Sequence, residues 1–398
     1  MNVEMLKTEI YKIYSKKIVW IALFIFLALF LFLHLQFMDR EGVKYTLEPM
    51  RSELTDAVGS ESFHAYVRSS GYSCSLEEMR EFLPASVLEY VERYSGDESI
   101  YRSLNSDLVR IINNYYERMD NRAALIDELA QDAAVSDQTV LTRAKAKLLE
   151  IYQRGPVVLE LNLETSANNF IDVNHSAVFP GLLMLLIIVG LSGIYTDEYT
   201  SGTQAVLLTS RKGRMGVFFS KTIAGGIFVV SIVLAAELFF MAVTAVCFHA
   251  PGTTISAAST YGLSLTTYSG SVYGFCMRQI GGTLLAGLTL GSVVMCISAC
   301  SKSALIPFFV TGLFYGGTAV HANAITFPNY LSSLWSLPGE LSLFMLQTQL
   351  ELVAAGRFTN VCGHLIPALS VNIAFNLLLM IVCLAFCCRI YTGKQVRS

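Results

Sequence analysis

Residues 18–38 read IVWIALFIFLALFLFLHLQFM, 21 residues without a formal charge. A helix rises about 1.5 Å per residue, so a run of this length covers the roughly 30 Å of hydrocarbon in a bilayer. A cleavable leader has an apolar core of only about 7 to 15 residues, followed by small residues at the cleavage site. Here Gln36-Phe37-Met38-Asp39-Arg40 closes the run. The stretch predicts a retained membrane anchor and sets the fold class, an all-α integral membrane protein.

The rest of the chain follows the same pattern. Hydrophobic residues make up 53% of the 398 and charged residues 15%, against about a quarter charged in soluble domains. Apolar runs over 176–195, 223–248, 279–300, 303–323 and 368–391 bring the expected spans to six. Their lengths suit helices, whose backbone groups close their own hydrogen bonds in lipid, rather than barrel strands. Only Ser301-Lys302-Ser303 separates the fourth from the fifth.

Lys and Arg predict the orientation. With the N-terminus inside, the inner segments hold Lys7, Lys12, Lys16, Lys17, Arg211, Lys212, Arg214, Lys221, Lys302, Arg389, Lys394 and Arg397, 12 positive charges in all. The short outer loops hold Arg278 and Arg357. Both termini are therefore expected in the cytoplasm, with 392–398 as a short tail. Residues 39–175 are expected as an extracellular domain at the cell membrane, because long segments translocate largely regardless of charge. That segment has 24 Asp or Glu against 14 Lys or Arg, a net −10 in a chain of net −3.

Nine cysteines form no disulfide-scaffold pattern. Cys296, Cys300, Cys383, Cys387 and Cys388 fall in or at the ends of spans and read as small apolar residues. Cys74, Cys276 and Cys362 are expected outside, with their pairing left open.

Local patterns fill in the segments between spans. Residues 2–17, NVEMLKTEIYKIYSKK, place Val3, Leu6, Ile10 and Ile13 at spacings of three and four, with Glu4, Lys7, Thr8 and Lys12 on other faces. This predicts an amphipathic helix over 1–17 in the cytoplasmic interface, with membrane lipid as its partner; a helical extension of the first span is the alternative. In the outer domain Ser75-Leu76-Glu77-Glu78 is a capping box opening a helix. Leu108, Ile111, Ile112, Tyr115 and Met119 share one helical face, and residues 136–153 predict another helix ended by Gly155-Pro156. About 135 residues can bury a core of their own.

The segment 249–278, rich in Ser, Thr, Gly and Tyr, reads as an outer loop. Residues 324–367 contain Pro328, Pro338 and Pro367 with Glu340 and Glu351, and read as an outer loop with short helices rather than a seventh span. In the fourth span Gly281, Gly282, Ala286, Gly287 and Gly291 form a small-residue pattern that admits a close helix neighbour.

The motifs of several reactions are missing. The sequence contains no GxxxxGK[ST] phosphate loop, no HExxH, no CxxC pair and no GxSxG elbow. No catalytic residue and no metal ligand set is assigned, no nucleic-acid partner is expected, and the chain reads as no enzyme. Glu237 is the one acid well inside a span, where an ionised carboxylate costs about 2.5 to 3.5 kcal/mol to insert. It is a candidate for a translocation path together with Asn372 and Asn376 of the last span. The plainer reading is a hydrogen-bonded Glu that fixes helix packing.

The polar stretch 195–215, YTDEYTSGTQAVLLTSRKGRM, lies between the second and third spans, so residues 196–222 are expected as a cytoplasmic loop of 27 residues. It contains Glu198, then Gly202-Thr203, then a helix-like Leu207 and Leu208, then Thr209-Ser210-Arg211, and Lys221 before the next span. A basic membrane-proximal segment accounts for Arg211, Lys212 and Arg214 but not for the Glu, Gly-Thr and Leu pattern. These residues resemble the signature of the ABC type-2 transporter permeases. The resemblance extends to the architecture: an interfacial N-terminal helix, a large outer domain after the first span, and six spans with outer helices before the last. Family members often have Pro after the Leu-Thr segment, where this chain runs LLTSRKG.

The resemblance implies a permease subunit that pairs with a second one, as homodimer or heterodimer. Two copies of a separate cytosolic ABC ATPase dock on the pair, with ATP and Mg on the ATPase and no cofactor on this chain. The loop after the second span would seat a coupling helix in a groove of the ATPase, through Glu198, Gly202, Thr203, Leu207, Leu208, Thr209, Ser210, Arg211 and Lys221. The low charge of the spans favours an amphipathic or hydrophobic cargo such as an antimicrobial peptide, drug or lipid. Two alternatives stand beside it: an exporter of sodium or another ion, and a membrane-anchored sensor whose acidic outer domain attracts cationic peptides.

Overall fold

The computed structural model describes residues 3–37, 47–134, 139–154, 159–163, 178–202, 211–248, 255–260, 263–325, 358–361 and 363–393. Helix α1 (Val3–Tyr14) is separated by Ser15-Lys16 from α2 (Lys17–Phe37), and their axes differ by 56°. The amphipathic start is thus a helix of its own and not an extension of the first span. The corner is tied by Trp20, whose Nε1 donates to the Tyr14 carbonyl at 2.6 Å. Along α2, Val19, Phe26 and Phe30 point into the bundle, while Trp20, Ile21, Phe24 and Phe32 stay exposed.

A mainly helical domain follows. It comprises α3 (Arg51–Val58), α4 (Glu61–Ser69), α5 (Leu76–Met79), α6 (Ala85–Glu92), α7 (Glu98–Ala133) and α8 (Val140–Arg154). The capping box forms, with the Ser75 N–H donating to the Glu78 carboxylate at 2.6 Å. Asp97 caps the 36-residue α7 by accepting from Ser99 and Ile100. The residues of α7 that reach the core are Leu104, Leu108, Ile112 and Tyr116, four apart, which places them in one column. They meet Leu54, Phe63, Val67, Met79 and Val87 in a core separate from that of the bundle. Of the face expected from the sequence, Leu108 and Ile112 belong to this column; Ile111 and Tyr115 pack beside it.

The bundle begins with α9 (Val178–Leu191), a turn over 192–195, and α10 (Thr196–Thr200). It continues with α11 (Arg211–Phe248), α12 (Val272–Cys300) and α13 (Leu305–Ile325). A two-stranded hairpin, β1 (Phe358–Val361) with β2 (His364–Pro367), leads directly into α14 (Ala368–Gly393). Helix α12 is central and packs against α9, α11, α13 and α14. The small residues expected in it allow that closeness: a Cβ on Gly287 would come within 3.0 Å of Val229 and 3.1 Å of Ile187, and one on Gly291 within 3.1 Å of both Leu191 and Val229.

Among the described residues four helical stretches are long and apolar enough to cross a membrane: Gly181–Thr200, Arg214–Val243, Val272–Cys300 and Ala368–Gly393. The bent pair α1 and α2 makes a fifth when taken as one span. The expected span at 303–323 corresponds to α13, whose apolar described part, Leu305–Gly317, is shorter than a span. The structure is therefore a mainly helical protein with several membrane-length helices.

Element boundaries differ from the sequence reading in three places. Helix α11 starts at Arg211 rather than 223, because the basic end of the loop continues as helix and takes Lys221 with it. Helix α12 starts at Val272 rather than 279, since the Ser271 side chain caps it by accepting from the Gly274 N–H at 3.3 Å. The end of the 324–367 stretch, expected as an outer loop with short helices, forms a hairpin. Its turn uses Gly363 at φ +89, with the Gly363 N–H donating to Asn360 Oδ1 at 3.0 Å. Residues 326–357 lie outside the described ones.

Candidate functional site: a buried ion cluster

Four helices and one turn of the bundle meet at the base of the 196–222 loop. Helix α1 contributes Glu9 and Lys12, the turn after α9 contributes Ile194 and Tyr195, α10 contributes Glu198, α11 contributes Lys221, and α14 contributes Tyr391. Lys221 is 1% exposed, Glu198 4% and Glu9 5%. The Lys221 ammonium lies 2.9 Å from Glu9 Oε2, 2.8 Å from Glu198 Oε1 and 2.7 Å from the Ile194 carbonyl oxygen. It also stands 5.4 Å over the Tyr195 ring. Lys12 Nζ adds a second positive charge, 2.5 Å from Glu9 Oε1 and 3.9 Å from Glu198 Oε1. The Tyr391 hydroxyl donates to Glu198 Oε2 at 3.3 Å, and its ring packs 5.1 Å from that of Tyr195.

Two carboxylates and two ammonium groups balance in charge. An isolated buried ion costs several kcal/mol, and the pairing repays this only when geometry and remaining hydrogen bonds are good. Lys221 donates hydrogen bonds to Glu9 Oε2 and the Ile194 carbonyl and forms an ion pair with Glu198. Burial by itself would raise the Glu9 carboxyl, but the charges and hydrogen bonds of Lys221 and Lys12 outweigh it and hold the group below the usual carboxylate range. A second pair, Lys16 to Asp197 at 2.8 Å, joins the end of α1 to α10 at the protein surface. The cluster is closed to α12 as well: the Ser298 hydroxyl donates to the Ser192 carbonyl at 2.9 Å and accepts from the Tyr195 N–H at 3.2 Å.

Of the three charged residues in the sequence motif, Glu198 and Lys221 are thus brought together, with their side chains turned into the chain itself. Gly202 follows α10 at φ +67, and its N–H donates to the Tyr199 carbonyl at 3.2 Å. That is the left-handed position where a helix ends, and a side chain there is strained. Thr203, Leu207, Leu208, Thr209 and Ser210 lie outside the described residues. Arg211 is the first residue of α11, and its side chain is also outside what is described.

Sequence reasoning missed Glu9, Lys12, Tyr195 and Tyr391. For Glu9 the signal was present: it stands three residues after Leu6 and four before Ile13, on the apolar side of α1, where an acid needs a partner. Nothing in the local sequence marks Tyr391, because its role depends on α14 crossing α10.

The three residues assigned to a translocation path are all buried, Glu237 at 2% and both Asn372 and Asn376 fully. They sit at two levels of α12. Glu237 lies within electrostatic reach of Cys276, near the start of that helix. Asn376 donates to Asn372 Oδ1 at 2.6 Å, and its carbonyl accepts from the Thr289 hydroxyl at 3.3 Å. Positions 276 and 289 are about 20 Å apart along a helix. Among the described residues no group of three or more His, Cys, Asp or Glu side chains is placed to hold a metal ion. Neither a scan against models of known protein families nor a comparison with curated proteins returns a match to this chain.

Proposed function

We propose that this chain is the membrane permease subunit of an ABC-type exporter with six spans, cytoplasmic termini and an extracellular helical domain. The observation that supports the reading is the ion cluster itself. It fastens both flanks of the segment 203–210, through Glu198 on one side and Lys221 on the other, to the interfacial helix and to α14. A force applied to that segment by a cytosolic motor reaches four bundle elements at once, which is what a coupling element requires. In this reading Glu198, Lys221 and Gly202 shape the docking segment from behind, and Leu207 and Leu208 face the ATPase. Two ATPase copies bind ATP and Mg, a second permease subunit completes the assembly, and closure of the motors tips the bundle between two arrangements. The cargo is amphipathic or hydrophobic. Glu237, a buried acid in mid-helix, is the observation that favours the ion-exporting alternative.

The test is copurification in mild detergent of the tagged chain, expressed with its native neighbours, followed by mass spectrometry. An ATPase is expected with the wild type and is expected to be lost from the Leu207→Glu, Leu208→Glu double variant, whose thermal stability stays at the wild-type value. If no ATPase accompanies the wild type, the exporter reading fails.

A further inference from the structure

The outer domain holds the loop in front of α12 by its backbone. Arg122 of α7 is 7% exposed and donates from Nη1 to the carbonyls of Ser264 and Thr266, both at 3.1 Å. Its guanidinium stacks 4.7 Å from the Tyr152 ring centre of α8, and the Tyr152 hydroxyl donates to the Leu265 carbonyl at 2.5 Å. One turn earlier on α7, Arg118 donates to the Ser259 carbonyl at 2.6 Å. The chain at Glu160 adds two more bonds: its N–H donates to Ser259 Oγ at 2.8 Å, and its carboxylate accepts from the Ser256 N–H at 3.2 Å.

A buried guanidinium is an expensive way to hold a loop. Among the described residues Arg122 forms no ion pair, and burial pushes its pKa down. Carbonyl oxygens and a ring face are what satisfy the charge. Being carbonyls, they fix the path of the backbone, whatever the side chains of 264–266 are.

The gripped loop continues stiffly into α12. Ala257, Ala258, Ser259, Thr260, Leu263 and Thr266 are buried. The Val272 N–H donates to the Ile255 carbonyl at 2.9 Å, the Ala257 N–H to the Gly270 carbonyl at 3.0 Å, and Ser271 caps the helix. The far end of α12 carries Ser298, which holds the turn containing Tyr195 beside the ion cluster.

We propose that the outer domain and the ion cluster bias one shared element, α12: the grip of Arg122 and Tyr152 on residues 264–266 sets the position of that helix, so that a change in the outer domain is felt at Ser298. The proposal goes beyond export and holds for any cargo or signal. Two sites count as coupled when both act on the same two-state element, and mere adjacency does not suffice.

The experiment is hydrogen exchange with mass spectrometry on the purified full chain, comparing wild type with Arg122→Gln, Arg122→Lys and Tyr152→Phe. Exchange over 255–275 is expected to quicken about tenfold in Arg122→Gln, with a rise of about threefold reaching 290–300 and the outer core at 104–116 unchanged. Arg122→Lys restores part of the protection, and Tyr152→Phe gives a smaller change in the same segments. Faster exchange that stops at 275 in every variant overturns the proposal, since the grip is then local. If Arg122→Gln also loosens 104–116, the Tyr152→Phe variant decides: a rise within 290–300 sustains the coupling and no rise ends it.

Discussion

Glu198 and Asp120 are both buried acids, one in the bundle and one in the helical domain of α3 to α8, and they are supported in different ways. Glu198 meets a lysine that is itself sealed from solvent, and it shares that lysine with a second acid from another helix. Asp120 of α7 gathers neighbours from a single domain: His64 Nε2 at 3.0 Å, Arg68 Nε at 3.1 Å and the Tyr72 hydroxyl at 2.5 Å. Arg68 reaches it from the surface, and His64 stacks on Tyr116 at 4.8 Å between ring centres. Removing Lys221 from the first group leaves two buried carboxylates with Lys12 as their shared cation. Removing one partner of the second leaves others, with solvent at hand. The number of separate elements that meet at a charge, and its depth, decide what the charge is worth.

The sharpest way to break this comparison is Lys221→Met. It leaves two carboxylates, Glu9 and Glu198, to share the Lys12 ammonium, and breaking a buried pair this way costs about 3 to 5 kcal/mol. Thermal unfolding in detergent is expected to fall by far the most here, and the Lys221→Met, Glu198→Gln double variant is expected to recover part of the loss. A double variant no better than the single would show that Glu198 and Lys221 do not share an energy.

Next in size is Gly287→Leu, which forces a side chain against Val229 and Ile187. Overpacking costs about 1 to 3 kcal/mol, read in the same melt, with Gly281→Leu as the control because a Cβ there meets nothing within 4 Å.

Asp120→Asn is expected to cost about 1 to 2 kcal/mol, since it weakens charge-assisted hydrogen bonds without emptying the site. Its pH dependence gives a cleaner reading. Burial would raise the Asp120 carboxyl, but Tyr72, His64 and Arg68 hold it below its ordinary value of 3.8. A lowered carboxyl contributes stability that is complete above the unfolded value and is lost as pH falls through the folded one. The wild type is therefore expected to lose stability below about pH 4 by more than Asp120→Asn does, when outer-domain unfolding is followed by tyrosine fluorescence. Parallel acid limbs would remove Asp120 from the account.

The smallest effect is expected at Arg154 and Glu150, an exposed pair one turn apart on α8. Glu150→Gln is expected to leave the melt within error of wild type.

How much of this was legible follows the range of the interactions. The capping box at Ser75 and Glu78 and the close-packing glycines of α12 are local signals, and they read correctly. Glu198 and Lys221 drew notice as a motif, yet their meeting across α10 and α11 is a tertiary fact. Arg122 carried no mark at all: in sequence it is one more charge on an amphipathic helix, and only folding shows that it points at the backbone of residues 264–266. Helices α11 and α12 start before the apolar runs read from the sequence, because such runs locate hydrocarbon, whereas helices continue past it wherever a cap such as Ser271 allows.

The pinning of Glu198 to Lys221 also bears on what lies between them. Residues 203–210 join two fixed points, the turn at Gly202 and the first residue of α11. The entropy of bringing the ends of a segment together is usually lost when a partner orders it. Here the two ends already stand fixed in the free protein, so a partner that grips the segment has no ends left to bring together, which favours tighter association for the same contact surface.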